Sequence, residues 1–204
     1  MLAWSLWLLG SWMAILLMLR LSSMPVAVPL MILSAVFGLM LVWPAFRLSQ
    51  DPSPLPSLAP HQVLLDWFGM ILILQTVIWP LWLIANWTLV QTLWLDLAVG
   101  SWSLLSGALV ACGVRSNRAS ARWLTMLLCL GLVLGEPLAM VLTKQTLTWQ
   151  MRISPLETIW QLTDPQGLGN VKPWGRPILP ATIAALTAWG VVLGLSGQGN
   201  SKRH

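Results

Sequence analysis

Thr92–Gly113 reads TLWLDLAVGSWSLLSGALVACG, 22 residues with one charged side chain, Asp96, and no proline. At about 1.5 Å per residue such a run spans the ~30 Å hydrocarbon core of a bilayer, where every backbone N–H and C=O must be satisfied inside a helix. Working outward, the stretches near Leu2–Leu19, Met24–Trp43, Trp67–Ala85, Trp123–Thr143 and Ile178–Ser196 read the same way. Trp4, Trp43, Trp67, Trp94, Trp123 and Trp174 fall at or near the ends of these runs, at the headgroup level that an amphipathic ring prefers. The predicted fold class is therefore all-α, a polytopic transmembrane helical bundle of about six spans forming a single integral membrane domain over 1–204.

Composition agrees. Of the 204 residues 57% are hydrophobic and only 8% charged, mean hydropathy is +0.76, and there are 15 Trp, no Tyr and two His. A soluble domain carries roughly 25% charged residues, so a water-soluble core, a disordered chain and a nucleic-acid-binding domain are all excluded. Cys112 and Cys129 lie inside apolar runs, which suggests neither a disulfide framework nor a loop-borne zinc site. The first run lacks a basic leader and a small-x-small cleavage site after Arg20, so it reads as a retained helix. With the N-terminus inside, the inner segments hold Arg47, Arg115, Arg118, Arg122, Lys202 and Arg203, and the outer ones Arg20, Lys144, Arg152, Lys172 and Arg176. Long translocated loops obey the charge rule less strictly, which favours two cytoplasmic termini. Asn86-Trp87-Thr88 has the form of a glycosylation acceptor but sits in a connection too short to leave the membrane surface, and reads as coincidence.

Loop lengths repeat. A tight connection and then a long one, Pro44 to Asp66, join the first three spans; a short basic turn and the long segment Lys144 to Pro177 join the last three. Gly10-Ser11-Trp12 echoes Gly100-Ser101-Trp102, and Ser53-Pro54-Leu55 echoes Ser154-Pro155-Leu156. This predicts a 3+3 inverted repeat, an arrangement many transporters use, against chance matches in a chain rich in Leu, Trp and Ser. Asp51-Pro52-Ser53-Pro54-Leu55-Pro56 reads as an extended spacer, and Pro60 opens the next helix with His61 in its first turn. In the second long connection Ser154 can cap a helix, Pro155 suits its first position, and Glu157 can bond back to the cap N–H. Leu156, Ile159, Trp160 and Thr163 then share a face before Asp164-Pro165. A short interfacial helix near 155–163 is expected along the membrane surface, with a cavity cap or a docking point for a subunit as alternatives.

No Walker loop, H-E-x-x-H or G-x-S-x-G occurs, and two His cannot make a bis-histidine haem site. An ionisable residue at mid-bilayer costs ~2.5–3.5 kcal/mol, so the few present must face partners. Glu136, between Gly135 and Pro137, reads either as a coupling carboxyl or as a neutral acid bonded to a neighbouring backbone. Asp96 heads a stripe, Asp96, Gly100, Ser103, Gly107 and Ala111, expected to pack against Gly131 and Gly135 or Gly190 and Gly194; its alternative role is a helix N-terminal anion. Gln75 with Thr76, Trp79 and Pro80 is a weaker candidate, and His61 with Asp66 is a candidate proton-entry or quinone-headgroup pair. The ten Met are distributed as packing.

The function expected is a small polytopic transport protein or permease subunit moving a solute or ion, with proton coupling. The alternative is a non-catalytic membrane anchor of a larger respiratory or electron-transfer complex. An enzyme needs more convergent polar groups than are seen, and no cofactor is expected, with quinone or lipid as candidate pocket ligands. Expected partners are the lipid bilayer and other membrane subunits or further copies of the chain, with no nucleic acid. The expected location is a bacterial inner (plasma) membrane.

Overall fold

The computed structural model describes residues 2–19, 24–50, 59–85, 87–116, 118–143, 154–163 and 175–201. Among them the order is α1 (Leu2–Leu19), α2 (Met24–Phe37), a π-helical turn (Gly38–Val42), α3 (Trp43–Ser49), α4 (Ala59–Ala85), α5 (Leu89–Arg115), α6 (Ala119–Thr143), α7 (Pro155–Thr163) and α8 (Gly175–Ser201), and no strand occurs. Four stretches are long and apolar enough to cross a membrane: Val28–Ser49, Pro60–Pro80, Leu89–Arg115 and Ala119–Ala139. Ile178–Gly194 is a shorter apolar helix. The spacer read at 51–56, Asn86, and Arg20, Lys144, Arg152 and Lys172 lie outside the described residues.

Large apolar side chains cover the outside, as a hydrocarbon solvent allows and water does not. Trp123 is 72% exposed, and Leu127, Leu83 and Ile183 stand out from α6, α4 and α8 in the same way. Helix α5 takes the centre, packed by α3, α4, α6, α7 and α8. Its buried face is built from small residues, among them Ala98, Ser103, Ser106, Gly107 and Ala111, and three indoles fill the space these leave. A Cβ on Gly107 would stand 3.5 Å from Trp189, 3.8 Å from Trp43 and 3.9 Å from Trp67. The expected glycine-to-glycine helix contact is thereby corrected. Gly131, Gly135, Gly190 and Gly194 have no atom within 4 Å of such a Cβ, because the small residues of α5 receive tryptophans instead of a backbone.

One helix start agrees with its proline signal and one helix end lies beyond that read in the sequence. Pro60 is the second residue of α4 and lets it start at Ala59, eight residues before Trp67. The second span runs on past Trp43 through Pro44 to Ser49, by way of the π-helical turn. In an α-helix residue 44 would donate to the Met40 carbonyl, which proline cannot do. The wider turn accommodates the ring, and Ser106 Oγ on α5 donates to Met40 O at 3.3 Å.

Helix α7 packs one face against its neighbours. Ile159 and Leu162 are fully buried against α2, α5 and α6, Thr158 and Thr163 turn inward with them, and Trp160 points outward. Of the predicted face Ile159 and Thr163 are buried, Leu156 is half-buried and Trp160 is exposed; Pro155, Thr158 and Leu162 complete the inward stripe.

The Gly107 packing is open to test by thermal unfolding in detergent. Gly107→Ala should be tolerated at 3.5 Å, whereas Gly107→Leu should cost ~1–3 kcal/mol by overfilling the indole cluster. Gly131→Leu, placed in open space, should melt like wild type. A wild-type midpoint for Gly107→Leu would mean that this face meets lipid.

Candidate functional site

Two polar sites stand at one half of the bundle, and a third cluster closes the opposite end. The larger site is a groove of about 540 Å³ on α5 between α4 and α8. Trp67, Ile71 and Gln75 recur every four residues on α4 and form one wall; Thr182 and Ala185 of α8 form the other. The floor is α5, from Leu93 through Asp96 and Gly100 to Leu104, a length of about 16 Å at helical rise.

Asp96 is held by a chain of donors: Trp79 Nε1 donates to Gln75 Oε1 at 2.8 Å, and Gln75 Nε2 donates to Asp96 Oδ1. One turn deeper, the hydroxyls of Ser101 and Thr182 are 2.7 Å apart, joining α5 to α8. Deeper again, Trp67 Nε1 donates to Ser103 Oγ at 3.0 Å and Trp189 Nε1 to the Leu104 carbonyl at 2.8 Å, so the groove ends on the indole cluster at Gly107. Leu93 and Leu97 are exposed along the floor, and a Cβ on Gly100 would meet nothing, so the groove is open sideways.

The smaller site surrounds Glu136. Its Oε2 accepts from the Ser154 backbone N–H at 2.5 Å, so a carboxyl of α6 satisfies the first donor of α7. The local capping box expected from Ser154 and Glu157 is not formed. Glu157 instead accepts from Gln161 Nε2 at 2.7 Å, one turn on. At the other end of α7, Gln91 Nε2 donates to the Leu162 carbonyl at 2.5 Å. Glu136 thus serves as a tertiary helix cap. Glu136 Oε1 and Ser154 Oγ remain buried without partners beside a cavity of about 280 Å³.

His61 and Asp66 are not brought together. They are five residues apart on α4, and that offset puts them on different faces; Asp66 pairs with Arg47, Nε to Oδ2 at 3.4 Å, while His61 is exposed. Arg47 also donates to Gln50 Oε1 at 2.7 Å, and Arg122 Nη1 to the Gln50 carbonyl at 2.7 Å. These bonds bring the C-terminus of α3 to the N-termini of α4 and α6. Among the described residues no group of three or more His, Cys, Asp or Glu is placed to hold a metal.

Sequence reasoning named Gln75 and Asp96 separately and missed Ser101, Thr182 and Trp67 as groove residues. The three- and four-residue spacing of Leu93, Asp96, Leu97, Gly100, Ser101 and Leu104 marks one face of α5 and was a legible signal; Thr182 had none. Compared with family models, with characterised proteins and with solved structures, the chain shows no match.

The role of Glu136 predicts a graded response. Glu136→Gln keeps an acceptor oxygen and should leave α7 docked. Glu136→Leu should lower hydrogen-exchange protection of residues 154–163 about tenfold, the equivalent of one lost buried hydrogen bond. Equal protection in both variants would show that α7 does not depend on this cap.

Proposed function

We propose that the chain is a small membrane transport protein in which a polar solute or ion enters through the groove between α4, α5 and α8. The observation that carries this reading is the Trp79–Gln75–Asp96 chain, with the Ser101–Thr182 pair beneath it, facing an open groove inside an otherwise apolar bundle. Polar groups at such depth are costly unless matched, and a passing polar ligand matches them. The residue of interest is then Asp96, a half-buried carboxyl that keeps acceptor capacity beyond its bond to Gln75.

In this reading six helices cross the membrane: α1, the continuous α2–α3 helix, α4, α5, α6 and α8. Arg47, paired with Asp66, and Arg115, Arg118 and Arg122 lie at the helix ends of one side, and the positive-inside rule supports placing that end and both termini in the cytoplasm of a bacterial inner (plasma) membrane. The finer proposal of a 3+3 inverted repeat has support in the two Gly-Ser-Trp stretches. Ser11 lies 3.4 Å from Ser34 Oγ as Ser101 lies 2.7 Å from Thr182, and Trp12 and Trp102 each bury an indole N–H without a partner.

A second reading, the membrane anchor of a larger respiratory or electron-transfer complex, is favoured by one observation. The groove opens sideways at Leu93, Leu97 and Gly100, where a partner's helix can lie. Isolation with a stoichiometric partner whose removal exposes Asp96 to labelling would support the anchor.

Transport is tested in liposomes by solute-dependent dissipation of a pH gradient, over a panel of cationic, zwitterionic and neutral solutes. Asp96→Asn should reduce flux about tenfold or more, the scale of one lost charge-assisted hydrogen bond, while Glu136→Gln leaves it intact. Absence of solute-dependent flux in wild type, or equal flux in Asp96→Asn, would overturn the reading. For topology, reporters after His204 and within Ser116–Ala121 should both register as cytoplasmic, and opposite readings would remove the six-crossing arrangement.

A further inference from the structure

The cavity at the start of α7 is separate from the α4/α5/α8 groove and has its own chemistry. Its polar lining is Glu136, Glu157 and Ser154, with Trp160 at its mouth and Leu33, Leu156 and Pro137 on its walls. Ser154 is only 4% exposed, yet its hydroxyl has no partner, and Glu136 Oε1 is likewise buried and unpartnered. Buried acceptors left open are rare, and two of them beside one cavity point to a missing donor.

The charge of that donor follows from its neighbours. Two carboxyls repel an anion. The half-charge of a helix N-terminus, already met by Glu136 Oε2, is smaller than theirs, so the site favours a cation. The walls choose between kinds of cation. A hard metal ion asks for a shell of oxygen ligands, whereas this cavity offers few oxygens, alkyl surface and an indole face, the surroundings that suit an organic ammonium. A volume of about 280 Å³ admits a headgroup-sized molecule.

We propose that this cavity binds an organic ammonium group, which donates to Glu136 Oε1 and Ser154 Oγ, lies against Glu157 and stacks its alkyl substituents on Trp160. The group belongs either to a free amine or to an aminophospholipid headgroup, and two arms of one experiment separate these. In the first, the full chain in phosphatidylglycerol nanodiscs is titrated with ethylammonium chloride against equal sodium chloride. In the second, it is placed in mixed phosphatidylethanolamine and phosphatidylglycerol, and retained lipid is counted by native mass spectrometry.

Saturable binding of ethylammonium alone identifies a free amine; selective retention of phosphatidylethanolamine alone identifies the headgroup; both together identify an ammonium site indifferent to its carrier. In each case Glu157→Gln and Trp160→Leu should weaken binding roughly tenfold while residues 154–163 keep wild-type hydrogen-exchange protection, which shows that α7 is still docked. The proposal is overturned if wild type prefers neither ethylammonium over sodium nor phosphatidylethanolamine over phosphatidylglycerol, or if both variants bind as wild type does.

Discussion

A nine-residue helix packed among longer apolar ones leaves the N–H groups of its first turn, one fewer than usual because Pro155 has none, and four C=O groups at its end without helical partners, and where its neighbours exclude water these groups need partners from the protein. Helix α7 answers this constraint by borrowing from two neighbours. Glu136 of α6 accepts from its first N–H, and Gln91 of α5 donates to its Leu162 carbonyl. Because the acceptor Glu136 and the donor Gln91 sit on different helices, α7 ties the axial register of α5 to that of α6 as well as fixing its own position. Glu136 stands seven residues before the end of α6, about 10 Å along the helix, so the N-terminus of α7 is set at that depth.

The same accounting explains the middle of the bundle. Pro44 deprives the Met40 carbonyl of its α-helical donor, the helix widens into a π turn, and Ser106 supplies a hydroxyl from α5. Tryptophan extends the principle across the molecule. An indole has a donor and no acceptor, so it can cap a spare carbonyl lone pair without creating a new need. Trp7 does this at the Ser34 carbonyl, 3.1 Å away, and Trp189 at Leu104. A chain with fifteen Trp and no Tyr is thus supplied with large rings whose polar demand ends at one hydrogen bond.

Local patterns carried most of the helix plan in the sequence. The apolar lengths located the long helices, though the second span runs six residues past its expected end at Trp43, and Pro155 and Pro60 marked real helix starts, the latter eight residues ahead of the apolar run at Trp67. Tertiary substitutions were not legible. The Ser-x-x-Glu pattern at Ser154 and Glu157 satisfies the rule for a capping box, but a carboxyl eighteen residues earlier takes the N–H, and nothing in either local sequence announces that. The candidate site divides along the same line. Gln75 and Asp96 were visible as polar residues in apolar runs; their meeting across twenty-one residues, and the pairing of Ser101 with Thr182, depend on how α4 and α8 flank α5.

Seen through this constraint, the two polar sites differ in kind. At α7 the polar atoms are drawn inward to hold a helix, with the small cavity beside Glu136 and Ser154 at its start. Along α5 the polar atoms are arranged on the face of a groove that no described element covers. Interhelical hydrogen bonds in membranes average well under 2 kcal/mol, so the Gln75–Asp96 contact by itself adds little to the packing of α4 on α5. A purely structural role would be served at lower cost by an apolar seam between α4 and α5, of the kind already built from Leu74, Leu95 and Ile78. In the proposed transport reading, Asp96 beside the open groove keeps acceptor capacity for something that comes and goes, where an apolar pair would only hold the two helices together.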